Sequence, residues 1–389
     1  MNNYVILYKV VMAVIIFLGA SCSLSAKQMT MTTSKPGYVS IAMRGSGTAI
    51  IDWGDGAVSE TITLSSTDAS RHSHSYTDTN VRTITITGDN ITYLDCSHNQ
   101  LTALDIRKNL ALIELLCSNN RLTALDVSKN TALAILRCFS NRLTILDVSS
   151  NTALTVLRCH SNQLTALDVR RNAGLEILWC YSNRLKSLDV SSNTALKVLW
   201  CCFNQLTSLD ISKNTLLTEL WTRANQLTIL DVSKNVALTH LWCYYNKLTS
   251  LDVTNNPALI DLVCFNNHLT ALDLRNNTAL TNLYCYNNQL TSLDVSNNSA
   301  LTMLFCFNNQ LTVLDLSQNT ELRRLDIQSN QLSAAALNVM FSTLSSPAGV
   351  ANIKNNPGTG ISDQSIANNN GWTVNTIFYP YPYILDSDL

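Results

Sequence analysis

Between residues 91 and 332 the apolar positions repeat without drift. One unit runs Leu112, Leu115, Cys117 and Asn120, then Leu122, Leu125, Val127 and Asn130. The same positions return 21 residues later as Leu133, Leu136, Cys138, Asn141, Leu143, Leu146, Val148 and Asn151. Both halves of a unit have the form LxxLxLxxN. Alternation puts Leu115 and Cys117 on one face of a short extended segment, and Leu125 and Val127 on one face of a second. The pattern predicts a mainly β, right-handed solenoid of parallel strands, with leucines pointing inward and coils stacked about 4.8 Å apart. Cysteine marks the lattice at 96, 117, 138, 159, 180, 201, 243, 264, 285 and 306, with Thr222 in the one gap and Ile327 at the last point. No insertion interrupts it. Two asparagine series, Asn99 to Asn330 and Asn109 to Asn319, are placed to turn their amides into the corners and satisfy backbone groups that a tight bend leaves unpaired.

An open-ended solenoid exposes its core, so both ends call for caps. Residues 27–90 hold strand-like stretches at 38–43, 49–53, 60–64 and 82–87, which predict a small β-sandwich-like N-terminal cap. Residues 333–389 are expected to form a C-terminal cap and tail. Ser333 is placed to cap a short helix whose Leu337, Met340, Phe341 and Leu344 fall at i, i+3, i+4 and i+7, and Pro347 ends it. Degenerate strands are expected near Ile353 and over residues 371–374. Residues 378–383, rich in Tyr and Pro, are either a loose end or dock on the cap.

Composition removes some functions. A net charge of −1 gives no electrostatic case for nucleic acid or an acidic membrane as partner. Only five of the 27 acidic residues are Glu (Glu60, Glu114, Glu176, Glu219, Glu321), and a surplus of Asp favours turns over long helices. Residues 1–26 read as an export signal, with Lys9, an apolar run over 10–18 that is too short to span a bilayer comfortably, and then Gly19, Ala20, Ser21 and Cys22. Cys22 stands where a bacterial lipoprotein signal puts its lipidated cysteine, although Gly19 replaces the larger aliphatic residue expected three places earlier. Lipidation at Cys22, plain secretion after Ser23 or Ala26, and a retained anchor are all open. Membrane contact is expected only through such an anchor.

The cysteine column invites disulfides or a metal. Equivalent side chains one coil apart sit about 4.8 Å from each other, a poor match to the Cβ separation of about 3.8 Å in a disulfide, so buried free thiols are expected. Cys202 falls on the opposite strand face and is expected to be a free, reactive thiol. The aspartate series from Asp105 to Asp315 is expected to be hydrogen-bonded by nearby Thr, Ser and backbone groups, with calcium as the alternative. The six histidines show no HExxH spacing, and no GxSxG elbow or glycine-rich phosphate loop occurs. Neither an enzyme nor a cofactor is expected.

The most informative feature flanks the cysteines. The column before them runs Arg137, Arg158, Trp179, Trp200, Trp221, Trp242, Val263, Tyr284 and Phe305. The column after them runs Phe139, His160, Tyr181, Cys202, Arg223, Tyr244, Phe265, Tyr286 and Phe307, and the next column adds Phe203 and Tyr245. Over the ten coils from 117 to 306 these three columns hold 14 aromatic residues in 30 positions, where a chain that is 7% aromatic would place about two. Alternation turns the flanking columns outward, so they are expected to form an exposed strip with a cationic end, on the concave face, that grips a ligand. The alternative is that the rings stack on one another as rigidifying ladders.

The LxxLxCxxNxLTxLDVSxN unit resembles the leucine-rich repeat family, in particular its IRREKO-type bacterial class. Residues 51–56, reading IDWGDG, with His74 and Tyr76 following, resemble the polycystic-kidney-disease type of β-sandwich. In that family these are structural marks, so Asp52, Asp55, His72 and His74 are expected to serve turns and packing and hold no metal. The repeat resemblance implies a binding scaffold, secreted or anchored at a bacterial surface. A protein partner is expected, as in adhesion; a carbohydrate ligand and a passive spacer are the alternatives.

Overall fold

The computed structural model describes residues 27–345 and 348–375. Pro347, Cys22 with the rest of the export signal, and the tail at 378–383 lie outside the described residues. Each coil contributes one three-residue strand, from Glu114–Leu116 (β7) through to Arg324–Asp326 (β17). Neighbouring strands pair in parallel with leucine opposite leucine, as in Leu178↔Leu199 and Leu199↔Leu220. Leu115, Cys117 and Val127 are fully buried and Leu125 nearly so, as alternation requires.

The second extended segment of each coil is not a strand, contrary to expectation, and local bonds explain why. The Asp126 carboxylate accepts the Ser128 N–H at 2.9 Å, and Asn151 Nδ2 donates to the Val127 carbonyl at 2.9 Å, so side chains hold groups that a ladder would need. The exception is Ala103–Asp105 (β6), which has a partner strand in Gln28–Thr33 (β1), with Met31 opposite Leu104.

The asparagines act as expected. Asn141 Nδ2 donates to the carbonyls of Cys117 and Cys138 at 2.9 and 3.1 Å, and its Oδ1 accepts the Leu122 N–H at 3.0 Å. One polar side chain thereby stitches two coils. The second series donates across coils in the same way, Asn151 Nδ2 also reaching the Asn130 carbonyl at 2.8 Å.

At the N-terminal end, Gly37–Asp52 (β2), Glu60–Thr63 (β3), Ser70–Tyr76 (β4) and Arg82–Asp95 (β5) form an antiparallel sheet with β1. Two of the expected stretches merge into the single long β2, which breaks register after Arg44. Gly45 permits this, since a Cβ there would lie 2.0 Å from the Asn90 carbonyl oxygen. Strand β5 then pairs in parallel with β7, Leu94 opposite Leu115, so the cap's sheet continues into the solenoid's and covers its first coil. At the other end Ser333 accepts the Ala336 N–H at 3.2 Å and caps helix Ala334–Thr343 (α1), which buries Leu337, Met340 and Phe341. Val350–Asn352 (β18) and Thr373–Asn375 (β19) close the sheet in parallel, with a five-residue helix, Ser365–Asn369 (α2), between them. No helix among the described residues is long and apolar enough to cross a membrane.

Candidate binding face

The outward side of the sheet carries three residue columns, set at the first strand position, at the position before the buried Cys, and at the position after it. The middle column is a continuous stack. Trp179, Trp200, Trp221 and Trp242 lie face to face at centroid separations of 4.0, 3.8 and 3.9 Å with interplanar angles of 10° or less. Arg158 extends the stack, its guanidinium carbon 3.7 Å from the Trp179 ring centroid. Ring spacings below the strand spacing of about 4.8 Å mean that these side chains lean together.

The column after the Cys is stacked as well, through Phe139, His160 and Tyr181 at 4.3 and 4.2 Å, and again through Tyr244, Phe265, Tyr286 and Phe307 at 4.1 to 4.2 Å. Tyr284 meets Phe305 edge to face at 5.1 Å. The expectation of a freely exposed strip therefore needs correction. Tyr181, Tyr244, Phe265 and Phe305 are buried, while Trp179, Trp200, Trp221, Trp242, Tyr284, Tyr286, Phe307, Arg137 and Arg158 are half-buried. Tyr244, Val263 and Phe265, with Trp242, Tyr284 and Tyr286 against them, make a second apolar cluster outside the leucine core. The indole Nε1 atoms of all four tryptophans are buried without a hydrogen-bond partner among the described residues. A molecule reaching the tryptophan column thus meets ring edges, and neither ring faces nor indole donors.

Cys202 is a second correction. It lies between Tyr181 and Arg223 in the stacked column, 1% exposed, with its thiol directed at the Trp221 carbonyl at 3.3 Å. Burial pushes that thiol up to about 12, so it carries no reactive thiolate. The lattice cysteines are buried and unbridged as expected, and burial raises Cys138 and Cys243 to about 12.

The titratable groups of the face are engaged. His160 is buried between two rings, and desolvation with the nearby Arg158 charge lowers it to about 3, so it stays neutral. His240 is raised by its bond to Asp261, whose Oδ2 lies 3.2 Å from Nε2. Along the aspartate series, Asp189 accepts the Ser191 N–H at 3.0 Å and its hydroxyl at 2.6 Å, and Asp168 is chelated by Arg170 at 3.0 and 2.7 Å. Those bonds hold Asp189 below the usual carboxylate range and Asp168 down at about 2. In the cap, Asp52 and Asp55 accept the N–H groups of Gly54 and Ala57, His74 stacks on Trp53 and meets Asp55 at 2.6 Å, and His72 bridges Glu60 and Ser70 at 2.6 and 2.9 Å. No cluster of metal-ligating residues occurs among the described residues.

The LVIVD repeat family matches residues 283–309, slightly more than one coil. None of the curated proteins matches the chain. Among solved structures, the functional domain of InlJ from Listeria monocytogenes, described as including a cysteine ladder, is 33% identical, with 76% of this chain and 75% of that one covered and a TM-score of 0.53. A leucine-rich-repeat protein of Leptospira interrogans is 25% identical over 69% of this chain and 74% of its own, with a TM-score of 0.60. An internalin, inlF, also from Listeria monocytogenes, shares the fold at 22% identity, 75% and 87% coverage and a TM-score of 0.66. With the 21-residue repeat, the thiol column and the InlJ likeness in agreement, the chain belongs to the family of bacterial leucine-rich-repeat proteins that includes the InlJ domain.

Proposed function

We propose that the chain is an exported, non-enzymatic binding protein whose strand-bearing face holds a protein partner, as in adhesion. The observation that carries the proposal is the aromatic cluster outside the leucine core, since the solenoid already has a complete core without it. Stacked rings present a flat, rigid apolar surface that loses little conformational entropy on contact, which suits a protein interface. The likeness to leucine-rich-repeat proteins, internalins among them, supports the same reading. Export through residues 1–26, with lipid attachment at Cys22, completes it; labelling with a lipid precursor that is lost in Cys22→Ala tests the attachment.

A carbohydrate partner fits the tryptophan column less well, because sugar rings pack on free ring faces and these faces are closed by one another. That stacking instead favours one second reading, a stiffened spacer with no ligand. Capture from host and bacterial extracts separates the two. Val198 is half-buried on the strand-bearing face, and Ile229 is exposed on the second segment of its coil. Val198→Lys should abolish capture and Ile229→Lys should leave it intact; equal capture by both variants would sink the binding-face proposal.

A further inference from the structure

The turn after each strand repeats one backbone conformation. The residue two past the buried column has φ between 49° and 63° in every coil from His98 to Ser329. Nine of these twelve positions hold His, Asn or Ser, and Ala224 is a tenth. The other two are Phe203 and Tyr245, bulky side chains in left-handed backbone that disfavours them. They are 41% and 54% exposed, so burial does not offset that cost. Ala224 lies between them, one coil from each. Two aromatic walls therefore stand roughly 10 Å apart at the backbone, two coil spacings, with Ala224 and the buried Arg223 side chain of the middle coil between them. Both walls have support: the Arg223 guanidinium carbon is 4.8 Å from the Phe203 ring centroid, and the Tyr245 ring meets Phe265 edge to face at 5.5 Å.

Charge on the same edge gives a second, independent observation. From the buried column to the residue before the next leucine (117–121, 138–142 and their equivalents), no turn contains Asp or Glu. The last of these positions holds Arg121, Arg142, Arg184 and Lys247, all exposed, and none of the four forms an ion pair among the described residues. Arg184 is one coil before Phe203, and Lys247 shares the coil of Tyr245, so cations flank the notch. The chain's near-zero net charge hides this separation, because eleven of its carboxylates sit in the aspartate series on another edge of the coil.

We infer that this turn edge binds an acidic, extended polypeptide segment, which seats an aromatic or apolar side chain between Phe203 and Tyr245 while its carboxylates meet Arg142, Arg184 and Lys247. Five coils separate Arg142 from Lys247, about 24 Å, the length of roughly seven extended residues. The inference rests on the binding-protein reading and names the chemistry of the partner. A sulfated polysaccharide would feel the same charges but has no side chain to fill the notch.

The test uses the purified chain and three fluorescent probes: a random glutamate–tyrosine copolymer, polyglutamate and heparin. The copolymer should bind, weaken about tenfold or more from low to physiological salt, and exceed polyglutamate by about tenfold. Arg142→Glu, Arg184→Glu and Lys247→Glu together should abolish both interactions. Phe203→Ser with Tyr245→Ser, which restores the residue type found at Ser182 and Ser329, should leave the fold intact and reduce the copolymer to the polyglutamate level. Absence of copolymer binding, an unaltered affinity in the Phe203/Tyr245 variant, or tighter binding of heparin than of the copolymer would each overturn the inference. If the copolymer fails while capture still depends on Val198, the binding-face proposal stands and only the acidic-segment inference falls.

Discussion

Replacing Trp221 by Ser should show what the stacked column is worth. Trp221 lies 3.8 Å from Trp200 and 3.9 Å from Trp242, so the substitution removes two face-to-face contacts. At about 0.5 to 1.5 kcal/mol per aromatic pair, the loss is roughly 1 to 3 kcal/mol. Because a solenoid opens locally, the effect belongs to neighbouring coils and not to one global transition. The reporters are the backbone amides of Cys201 and Thr222, which donate to the carbonyls of Trp221 and Trp242 at 2.9 and 2.8 Å. A loss of that size makes their hydrogen exchange about 5 to 150 times faster. Trp221→Phe keeps a ring in the stack and deletes the unpartnered indole N–H, so it should recover most of the protection. Leu220→Ala, in the leucine core, sets the upper comparison at about 2 to 5 kcal/mol. Unchanged exchange at Cys201 and Thr222 in Trp221→Ser, or a Phe variant as weak as Ser, would refute a cohesive role for the stack.

Two further outcomes follow from charged groups. Burial, against weaker opposing bonds from Gln328 and Asn352, raises the Asp326 carboxyl to about 7 from its ordinary 3.8. The unfolded chain then ionises near pH 4 while the folded chain keeps its proton to about 7, so stability is full below pH 4 and falls as pH rises to 7. The cost is about 4 kcal/mol at most. Thermal melts from pH 4 to 8 should show Asp326→Asn gaining on the wild type across that window; parallel curves would contradict this. For the aspartate series, whose oxygens are held by serine, threonine and arginine groups, neither calcium nor a chelator should move the melting temperature, and a rise of several degrees with calcium would revive the cation alternative.

The coil was legible because its determinants are local and repeated. Leu115, Cys117 and Asn120 each have one role, and every coil states it again. Two features were hidden for physical reasons. Whether a second strand forms beside Leu125 depends on competition between ladder bonds and the side chains of Asp126 and Asn151, which apolar periodicity does not register. Alternation also shows that Trp200 and Tyr244 point away from the leucines, but not that neighbouring rings lean together until they close on each other. That closure buries Cys202 and Tyr244 on a face that alternation alone marks as solvent-exposed. The notch at Phe203 and Tyr245 was visible only as two more aromatics; its left-handed backbone, and the carboxylate-free edge beside it, acquire meaning once the turn is placed.

Hydroxyl-radical footprinting of the chain with and without a captured partner shows whether the strand-bearing face and its turn edge form the binding surface. Phe203, Tyr245, Tyr286 and Phe307 should be protected, with Ile145, Ile229 and Val313 on the second segments unchanged. Protection of Ile145, Ile229 and Val313 while the aromatic residues oxidise as in the free chain would contradict it.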